Sequence, residues 1–140
     1  MKSVRFGVIG CGLMGREFAS ASARWCHLLG EIPRPEIVAV CDFNEEATNW
    51  FRTNFPSVQF VTRDYRELLA RPEVEAVYCA LPHNLHGQVY SDIIRAGKHL
   101  LGEKPFGIDK AANEEILKAH AERLDKIAGF LMENENMNRA

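Results

Sequence analysis

Basic runs, paired cysteines and long apolar segments are all scarce in this sequence of 140 residues. Its 17 lysines and arginines are balanced by 19 aspartates and glutamates, for a formal net charge of −2. Proteins that bind nucleic acid or membrane surfaces need clustered basic side chains to neutralise phosphates, so we expect neither partner. The first apolar run ends at Gly10, too early for a signal peptide or a membrane span, which predicts a cytoplasmic protein.

The cysteines form neither a CxxC pair nor a compact disulfide framework, because each lies 15 or more positions from the next. All lie in or beside apolar segments: Cys11, Cys26, Cys41 and Cys79. We therefore expect reduced, mostly buried thiols. We predict no metal site, since His83 and His86 have no cysteine or carboxylate cluster beside them at ligand spacing.

Short β-type runs alternate with helical segments along the whole chain. The predicted strands are residues 4–9, 36–41, 58–61, 76–81, 99–101 and 127–132. The predicted helices are residues 13–27, 44–54, 64–69, 88–96 and 109–124. Asn44, Asp64 and Asp109 are predicted N-caps, and Gly97 a C-terminal cap. This alternation predicts an α/β fold with a doubly wound parallel sheet and helices on both faces, a three-layer α/β/α arrangement.

The first strand meets the first helix at a GxGxxG motif, the context in which this motif binds dinucleotides. Its first glycine permits a tight turn, its second lets a diphosphate approach the backbone, and its third lets helix and strand pack closely. The helix N-terminus then holds the diphosphate through its free N–H groups and its dipole. The alternative is a glycine-rich turn without a ligand. The predicted cofactor contacts are Gly10, Cys11, Gly12, Leu13, Met14 and Gly15.

Asp42 follows the second strand, where a carboxylate in a Rossmann-type domain accepts hydrogen bonds from the adenosine ribose hydroxyls. Such a carboxylate would repel a 2′-phosphate, so the sequence predicts NAD as the cofactor, with NADP as the alternative. Asp42 lies 27 residues after Gly15, and the excess length falls in the loop around residues 30–35. A carboxylate that only caps the next helix is the other interpretation.

Two later segments of the chain are Val77-Tyr-Cys-Ala-Leu-Pro-His-Asn-Leu-His86 and Ala96-Gly-Lys-His-Leu-Leu-Gly-Glu-Lys-Pro105. Together they resemble the corresponding segments of the Gfo/Idh/MocA oxidoreductases. Members of that family pair an N-terminal Rossmann domain with a C-terminal α/β domain built on a large open sheet. They oxidise or reduce a hydroxyl carbon of sugars, inositols and related polyols. The resemblance covers residues 4–132, the Rossmann half alone.

The resemblance implies that Lys104 is the catalytic lysine, which hydrogen-bonds the reacting hydroxyl and assists its proton transfer. Glu103 and Pro105 would shape the loop of that lysine. The resemblance also implies that four residues near the nicotinamide and its ribose contact the cofactor, together with Glu103 and Lys104. These four are Leu81, Pro82, Asn84 and His86. For His86, a hydrogen bond that holds the turn is an equal alternative to a ligand contact.

We expect residues 1–125 to form the NAD(P)-binding domain and residues 126–140 to be its last strand and the start of a crossover. The crossover would lead to a C-terminal α/β domain that is absent from this chain. Such a fragment should bind cofactor but turn over poorly, since family members draw an aspartate, a histidine and most of the substrate pocket from that domain. The alternative is a stand-alone, non-catalytic regulatory module. The face exposed by truncation predicts weak self-association.

Overall fold

The computed structural model describes the backbone of residues 2–139 and the side chains of residues 2–133. The strands are β1 (Ser3–Ile9), β2 (Arg34–Cys41), β3 (Phe60–Thr62), β4 (Ala76–Cys79) and β5 (His99–Gly102). The helices are α1 (Leu13–Ala23), α2 (Glu45–Asn54), α3 (Tyr65–Leu69), α4 (His86–Arg95) and α5 (Lys110–Arg139). Short 3₁₀ turns follow α1 (Arg24–His27) and precede α4 (His83–Leu85).

All strand pairs in the sheet are parallel, and the strand order is β3-β2-β1-β4-β5. The chain moves outward from β1 through β2 to β3, then returns to place β4 on the other side of β1. Ligands of such sheets bind at the carboxyl ends of the strands where this reversal occurs. Here that point lies between β1 and β4.

Helices cover both faces of the sheet because neighbouring strand residues point to opposite sides. Val8 packs in a cluster with Phe51 of α2, whereas Ile9 packs in a second cluster with Ile93 of α4 and Ile116 of α5. Strands that are buried on both faces need near-continuous apolar sequence, which explains the runs seen in β2 and β4. The predicted doubly wound, three-layer α/β fold is confirmed.

The predicted caps are confirmed. Asn44 accepts hydrogen bonds from the backbone N–H groups of Glu46 and Ala47, at 2.9 and 3.3 Å. Asp64 accepts one from Arg66 N at 2.9 Å, and Asp109 accepts one from Ala112 N at 2.8 Å. Gly97 has a φ of 79°, the left-handed conformation expected of a glycine that ends a helix.

The prediction of a sixth strand at residues 127–132 is wrong, because this segment continues α5 to Arg139. A short apolar run does not by itself distinguish a strand from a helix. Within it only Ile127 is β-branched, and Gly129 is the only residue with weak helix propensity. The proposed division of the chain near residue 125 stays a prediction, but its last segment is helical.

Element boundaries differ from the predictions in smaller ways. The predicted helix 13–27 ends at Ala23 and continues as the 3₁₀ turn. The strand predicted at residues 58–61 lies at Phe60–Thr62, and α4 begins two residues earlier than predicted. In the described part of the chain, no helix combines the length and apolar character needed to cross a membrane.

Candidate functional site

The turn between β1 and α1 brings two stretches of backbone into direct contact. Gly10 has a φ of 93°, and a Cβ built on it would lie 2.4 Å from Ala80 O. A Cβ on Gly15 would lie 2.2 Å from Gly10 O. Because real Cβ atoms do not approach oxygen so closely, no other residue fits either position without moving the backbone. The tight turn at Gly10 and the close packing of helix on strand at Gly15 therefore both require a residue without a side chain.

The N-terminus of α1 is open to a ligand. Gly12 is the N-cap residue of α1, and no side chain caps the helix there. A Cβ built on Gly12 would have no atom within 4 Å apart from those of its chain neighbours. The first turn holds no acidic residue, so its free N–H groups and positive dipole end are not neutralised from within the helix. Leu13 and Met14 are exposed beside Gly12. This arrangement fits a diphosphate.

Cys11 differs from its neighbours in the motif because its side chain is fully buried. Burial raises the pKa of its thiol to about 12, so it stays protonated at neutral pH. Its backbone N–H donates to Asp42 Oδ2 at 2.7 Å. Cys11 therefore supports the turn from beneath, and its side chain does not line the open surface.

Asp42 is held by backbone groups on both of its carboxylate oxygens. Cys11 N donates to Oδ2, and Asn44 N donates to Oδ1 at 2.8 Å. The interpretation of Asp42 as a helix cap is wrong, since Asn44 caps α2. A carboxylate has about four acceptor sites, so each oxygen can also accept a bond from a ribose hydroxyl.

A cavity of about 390 Å³ adjoins Asp42 at the carboxyl ends of β1, β2 and β4. Its walls are largely apolar and include two arginines and a tyrosine, a lining that suits a purine nucleoside. The residues that form it include Ile9, Asp42, Arg63, Tyr65, Leu81 and Val89. Burial and a hydrogen bond to Asp92 raise the pKa of Tyr65 to about 12, which keeps its hydroxyl neutral. A second cavity, of about 350 Å³, lies at the other end of α4.

The predicted contacts after β4 divide into exposed and buried groups. Leu81 lines the nucleoside-sized cavity, and Pro82 and Asn84 are exposed in the turn before α4. His86 is fully buried. Its Nδ1 lies 2.7 Å from Pro105 O, and its Nε2 lies 3.0 Å from Leu81 O. Of the two interpretations of His86, the structure supports the one in which it holds the turn.

The Glu103-Lys104-Pro105 segment follows β5, and two tyrosines hold it. Tyr78 donates a hydrogen bond to Glu103 Oε1 at 2.5 Å, and Tyr90 donates one to Glu103 O at 2.8 Å. Burial raises the pKa of both hydroxyls above the usual range, and for Tyr78 the hydrogen bond to the Glu103 carboxylate raises the pKa further. Lys104 is exposed, and the Lys104–Pro105 peptide bond is cis.

The sequence analysis missed both tyrosines, although a signal for Tyr78 exists. Tyr78 stacks on Phe18 with ring centroids 4.3 Å apart, and its hydroxyl lies 3.3 Å from Met14 O. A tyrosine inside an apolar strand needs a partner for its hydroxyl, and the nearest polar groups are at the end of that strand. Tyr78 therefore links the glycine turn to the loop that carries Lys104.

Nearly all predicted site residues thus meet at one edge of the sheet, at the ends of β1, β2, β4 and β5. Among the side chains of residues 2–133, no group of three or more histidines, cysteines, aspartates or glutamates is placed to hold a metal ion. The site contains an open helix N-terminus, a fixed carboxylate, a nucleoside-sized cavity and an exposed lysine. These groups can bind a dinucleotide and present an amine beside it.

Comparison with known proteins gives a family match over residues 4–130, to the GFO_IDH_MocA oxidoreductase family with an NAD-binding Rossmann fold. The inositol 2-dehydrogenase/D-chiro-inositol 3-dehydrogenase of Halalkalibacterium halodurans is 33% identical over 132 residues, which are 92% of this chain and 36% of that protein. A dTDP-3,4-didehydro-2,6-dideoxy-alpha-D-glucose 3-reductase of Actinomadura kijaniata is 32% identical over 134 residues, 94% of this chain and 36% of that protein. The chain spans about a third of the length of these relatives.

Solved structures show the same fold. A 3-ketoreductase from Actinomadura kijaniata in complex with NADP and TDP-benzene matches with a TM-score of 0.72 and 31% identity, over 87% of this chain and 35% of that one. The WlbA dehydrogenase from Bordetella pertussis in complex with NADH and UDP-GlcNAcA matches with a TM-score of 0.75 and 26% identity, over 88% of this chain and 34% of that one.

The glycine geometry predicts that one substitution in this turn affects cofactor affinity and that another affects stability. Gly12→Val places its side chain in open space, so the chain should fold normally but lose NADH affinity by about tenfold or more, because hydrogen bonds to the diphosphate are blocked. Gly10→Ala should instead lower the free energy of unfolding by about 1–3 kcal/mol, because of its φ and the contact with Ala80 O. Denaturant unfolding and nicotinamide fluorescence measure the two effects. Normal NADH binding by folded Gly12→Val contradicts the assignment.

Proposed function

Because the chain belongs to the Gfo/Idh/MocA family of oxidoreductases, we propose that it is the cofactor-binding half of a nicotinamide-dependent dehydrogenase. Its substrate would carry the reacting hydroxyl on a carbon of a sugar, an inositol or a related polyol. The observation that carries this proposal is the meeting of three groups at one sheet edge. They are the open N-terminus of α1, the fixed carboxylate of Asp42 and the exposed amine of Lys104.

The proposed cofactor site uses the chain's own groups in three places. The N–H groups at the start of α1 bind the diphosphate, Asp42 accepts bonds from the adenosine ribose, and the cavity lined by Leu81 and Val89 takes the adenine. A bound nicotinamide supplies the hydride acceptor or donor for the reaction. The NADP-bound ketoreductase and the NADH-bound dehydrogenase among the relatives support a nicotinamide cofactor of either kind.

NAD is the proposed cofactor, and the fixed position of Asp42 supports it. Bonds from Cys11 N and Asn44 N hold both carboxylate oxygens, which hinders the side chain from turning away to admit a 2′-phosphate. A phosphate beside a carboxylate also suffers charge repulsion. Arg63, which lines the same cavity as Asp42, is a cation that would favour a phosphate and so oppose this preference.

Lys104 is proposed as the catalytic residue. Its neutral amine would accept the substrate hydroxyl proton as the hydride leaves in oxidation, and its ammonium form would return that proton to the carbonyl oxygen in reduction. Glu103 and Pro105 keep the loop in place through their bonds to Tyr78, Tyr90 and His86. The substrate pocket and the remaining proton-transfer groups would come from a second domain, as the size of the relatives supports. The chain alone should therefore bind cofactor and turn over poorly.

A cytoplasmic location is also proposed. All four cysteines are free, and burial raises the pKa of Cys11, Cys41 and Cys79 to about 12. Free thiols persist where the surroundings are reducing.

A stand-alone regulatory module remains the competing function, and the reading frame after codon 140 distinguishes it from the dehydrogenase. A continuation into a second α/β domain supports the dehydrogenase, whereas a stop codon supports the module.

Cofactor choice is tested by titrating the chain with NADH and with NADPH. We expect NADH to bind more tightly, and Asp42→Asn to reduce the ratio of the two affinities by about tenfold, because the charged acceptor for the ribose hydroxyls is lost. Asp125→Asn, at an exposed position of α5, is the matched control. Tighter binding of NADPH by the unmodified chain contradicts the preference for NAD.

Lys104→Met tests the catalytic assignment in the longer protein. Turnover should fall by about 100-fold or more, since a positioned acid–base group contributes at least that much, while NADH affinity changes little. Lys110→Met is the matched control, because Lys110 is exposed and pairs only with Glu114 among the ion pairs of the described side chains. If Lys104→Met turns over at the normal rate, Lys104 is not the catalytic residue.

Weak self-association of the chain is proposed through an apolar surface in the second half of α5. Phe130, Leu131 and Met132 are more than half exposed there. The apparent mass in sedimentation should rise with concentration, and Phe130→Glu should suppress the rise because a charge in an apolar contact is costly. His120→Glu adds the same charge at an exposed polar position of the helix. A monomer at every concentration contradicts the proposal.

A further inference from the structure

The nucleoside-sized cavity is lined in part by a hydrogen-bonded network that joins α3 to α4. Tyr65, the first residue of α3, donates its hydroxyl proton to Asp92 Oδ2 at 2.7 Å. Gln88, in the first turn of α4, directs its side-chain Nε2 at both oxygens of Asp92, at 3.1 and 3.0 Å. Tyr65 and Gln88 themselves line the cavity. Asp92 therefore orients two of the cavity side chains.

The carboxylate of Asp92 determines which polar atoms these two side chains offer to a ligand. Carboxylate oxygens accept hydrogen bonds, so the amide of Gln88 turns its NH₂ group toward Asp92 and keeps its carbonyl oxygen Oε1 for other partners. In the part of the chain that the structure describes, no hydrogen bond reaches this Oε1. Tyr65 gives its single hydroxyl proton to the same carboxylate. Both side chains therefore present acceptors to the cavity.

The two arginines of the cavity are its donor side chains, and both have other surroundings. Arg63 directly follows β3, whose last residue accepts a hydrogen bond from Asp42 N at 3.2 Å, so Arg63 begins beside the proposed ribose position. Arg66 pairs with Asp64 at 3.7 Å, and its guanidinium lies over the ring of Tyr65 at 4.8 Å. The network of Asp92 thus supplies acceptors to a cavity whose charged donors are placed elsewhere.

The sheet places Gln88 at the distance of a base from Asp42. Asp42 follows β2, Gln88 belongs to the helix that follows β4, and β1 lies between these two strands. Neighbouring strands lie about 4.8 Å apart, so the ends of β2 and β4 are separated by roughly 10 Å. A nucleoside has about this length from its ribose hydroxyls to the far edge of its base. A ribose bound at Asp42 therefore lets the base reach α4.

We propose that Gln88 is a specificity-determining residue whose carbonyl oxygen accepts a hydrogen bond from the amino group at C6 of a purine, so that the cavity selects adenine over a 6-oxopurine. The proposal rests on the proposed function, because the base is that of the proposed dinucleotide. Adenine carries a donor at C6, whereas a 6-oxopurine carries an acceptor there.

A 6-oxopurine in the same position would bring its C6 oxygen against the free oxygen of Gln88. Two acceptors cannot bond to each other, and the N1–H of that base lies one ring position away, so the base would have to shift to use it. A site built to bond a donor disfavours an analogue without that donor, because the polar group of the site is left unpaired. The expected selection therefore depends on a single oxygen that Asp92 holds in place.

The selection is tested with NADH and with reduced nicotinamide hypoxanthine dinucleotide, in which hypoxanthine replaces adenine. We expect the unmodified chain to bind NADH about tenfold more tightly than the hypoxanthine analogue. Gln88→Met keeps the length of the side chain without the amide and should bring the two affinities close to equality. Gln59→Met makes the same change at an exposed position outside the cavity and should preserve the ratio. Equal affinities in the unmodified chain, or an unchanged ratio in Gln88→Met, overturn the proposal.

The orienting role of Asp92 is tested by Asp92→Asn. The new amide can donate to Gln88 Oε1, which frees the Gln88 amide to turn over. We expect the preference for NADH over the hypoxanthine analogue to fall by about threefold or more, although Asp92 does not itself line the cavity. Asp125→Asn, at an exposed position of α5, is the matched control. An unchanged preference in folded Asp92→Asn overturns the orienting role, and Gln88→Met decides the proposal if Asp92→Asn does not fold.

AMP and IMP separate a failure of this inference from a failure of the proposed function, because they carry the two bases without the nicotinamide. If the chain binds both dinucleotides equally, the proposed function stands and the inference about Gln88 fails. If the chain binds neither dinucleotide, the proposed function fails. Tighter binding of AMP than of IMP then still supports the selection by Gln88, whereas equal binding, or no binding of either, overturns it.

Discussion

The site depends on a contact between backbone and backbone where β1 meets α1. Side chains are excluded from this contact, because a Cβ on Gly10 would meet Ala80 O and one on Gly15 would meet Gly10 O. The close approach brings the N-terminus of α1 to the ends of β1 and β4, with Gly12 left open at the surface. The anion-binding end of the helix thus adjoins the loop that follows β4.

A second set of interactions joins the remaining loops to this turn. Asp42 links the end of β2 to Cys11, and Tyr78 lies between Met14 O and the carboxylate of Glu103. Hydrogen bonds to groups in low-dielectric surroundings are strong and costly to leave unmade. Each bond therefore restrains one loop relative to the next, and the loop that carries Lys104 is held by a network that begins at the glycine turn.

Sequence reasoning was most successful where one residue type has a local cause. The glycine motif, the caps at Asn44 and Asp64, and the order of strands and helices follow from turn geometry, capping and periodicity. It failed at residues 127–132, where an apolar run without a terminating signal continues a helix. It also missed Tyr78 and Tyr90, because the groups that satisfy their hydroxyls lie 25 and 13 residues away along the chain. Such partners are set by the packed fold.

The central claim is that the carboxyl edge of the sheet binds a nicotinamide dinucleotide, and amide NMR of the chain during addition of NAD tests it most directly. The account predicts shifts at Gly12 and Met14 for the diphosphate, at Asp42 for the ribose, and at Asn84 and Lys104 for the nicotinamide end, with α5 unaffected. Shifts confined to the cavity between α4 and α5, or no shifts at saturating NAD, would contradict it.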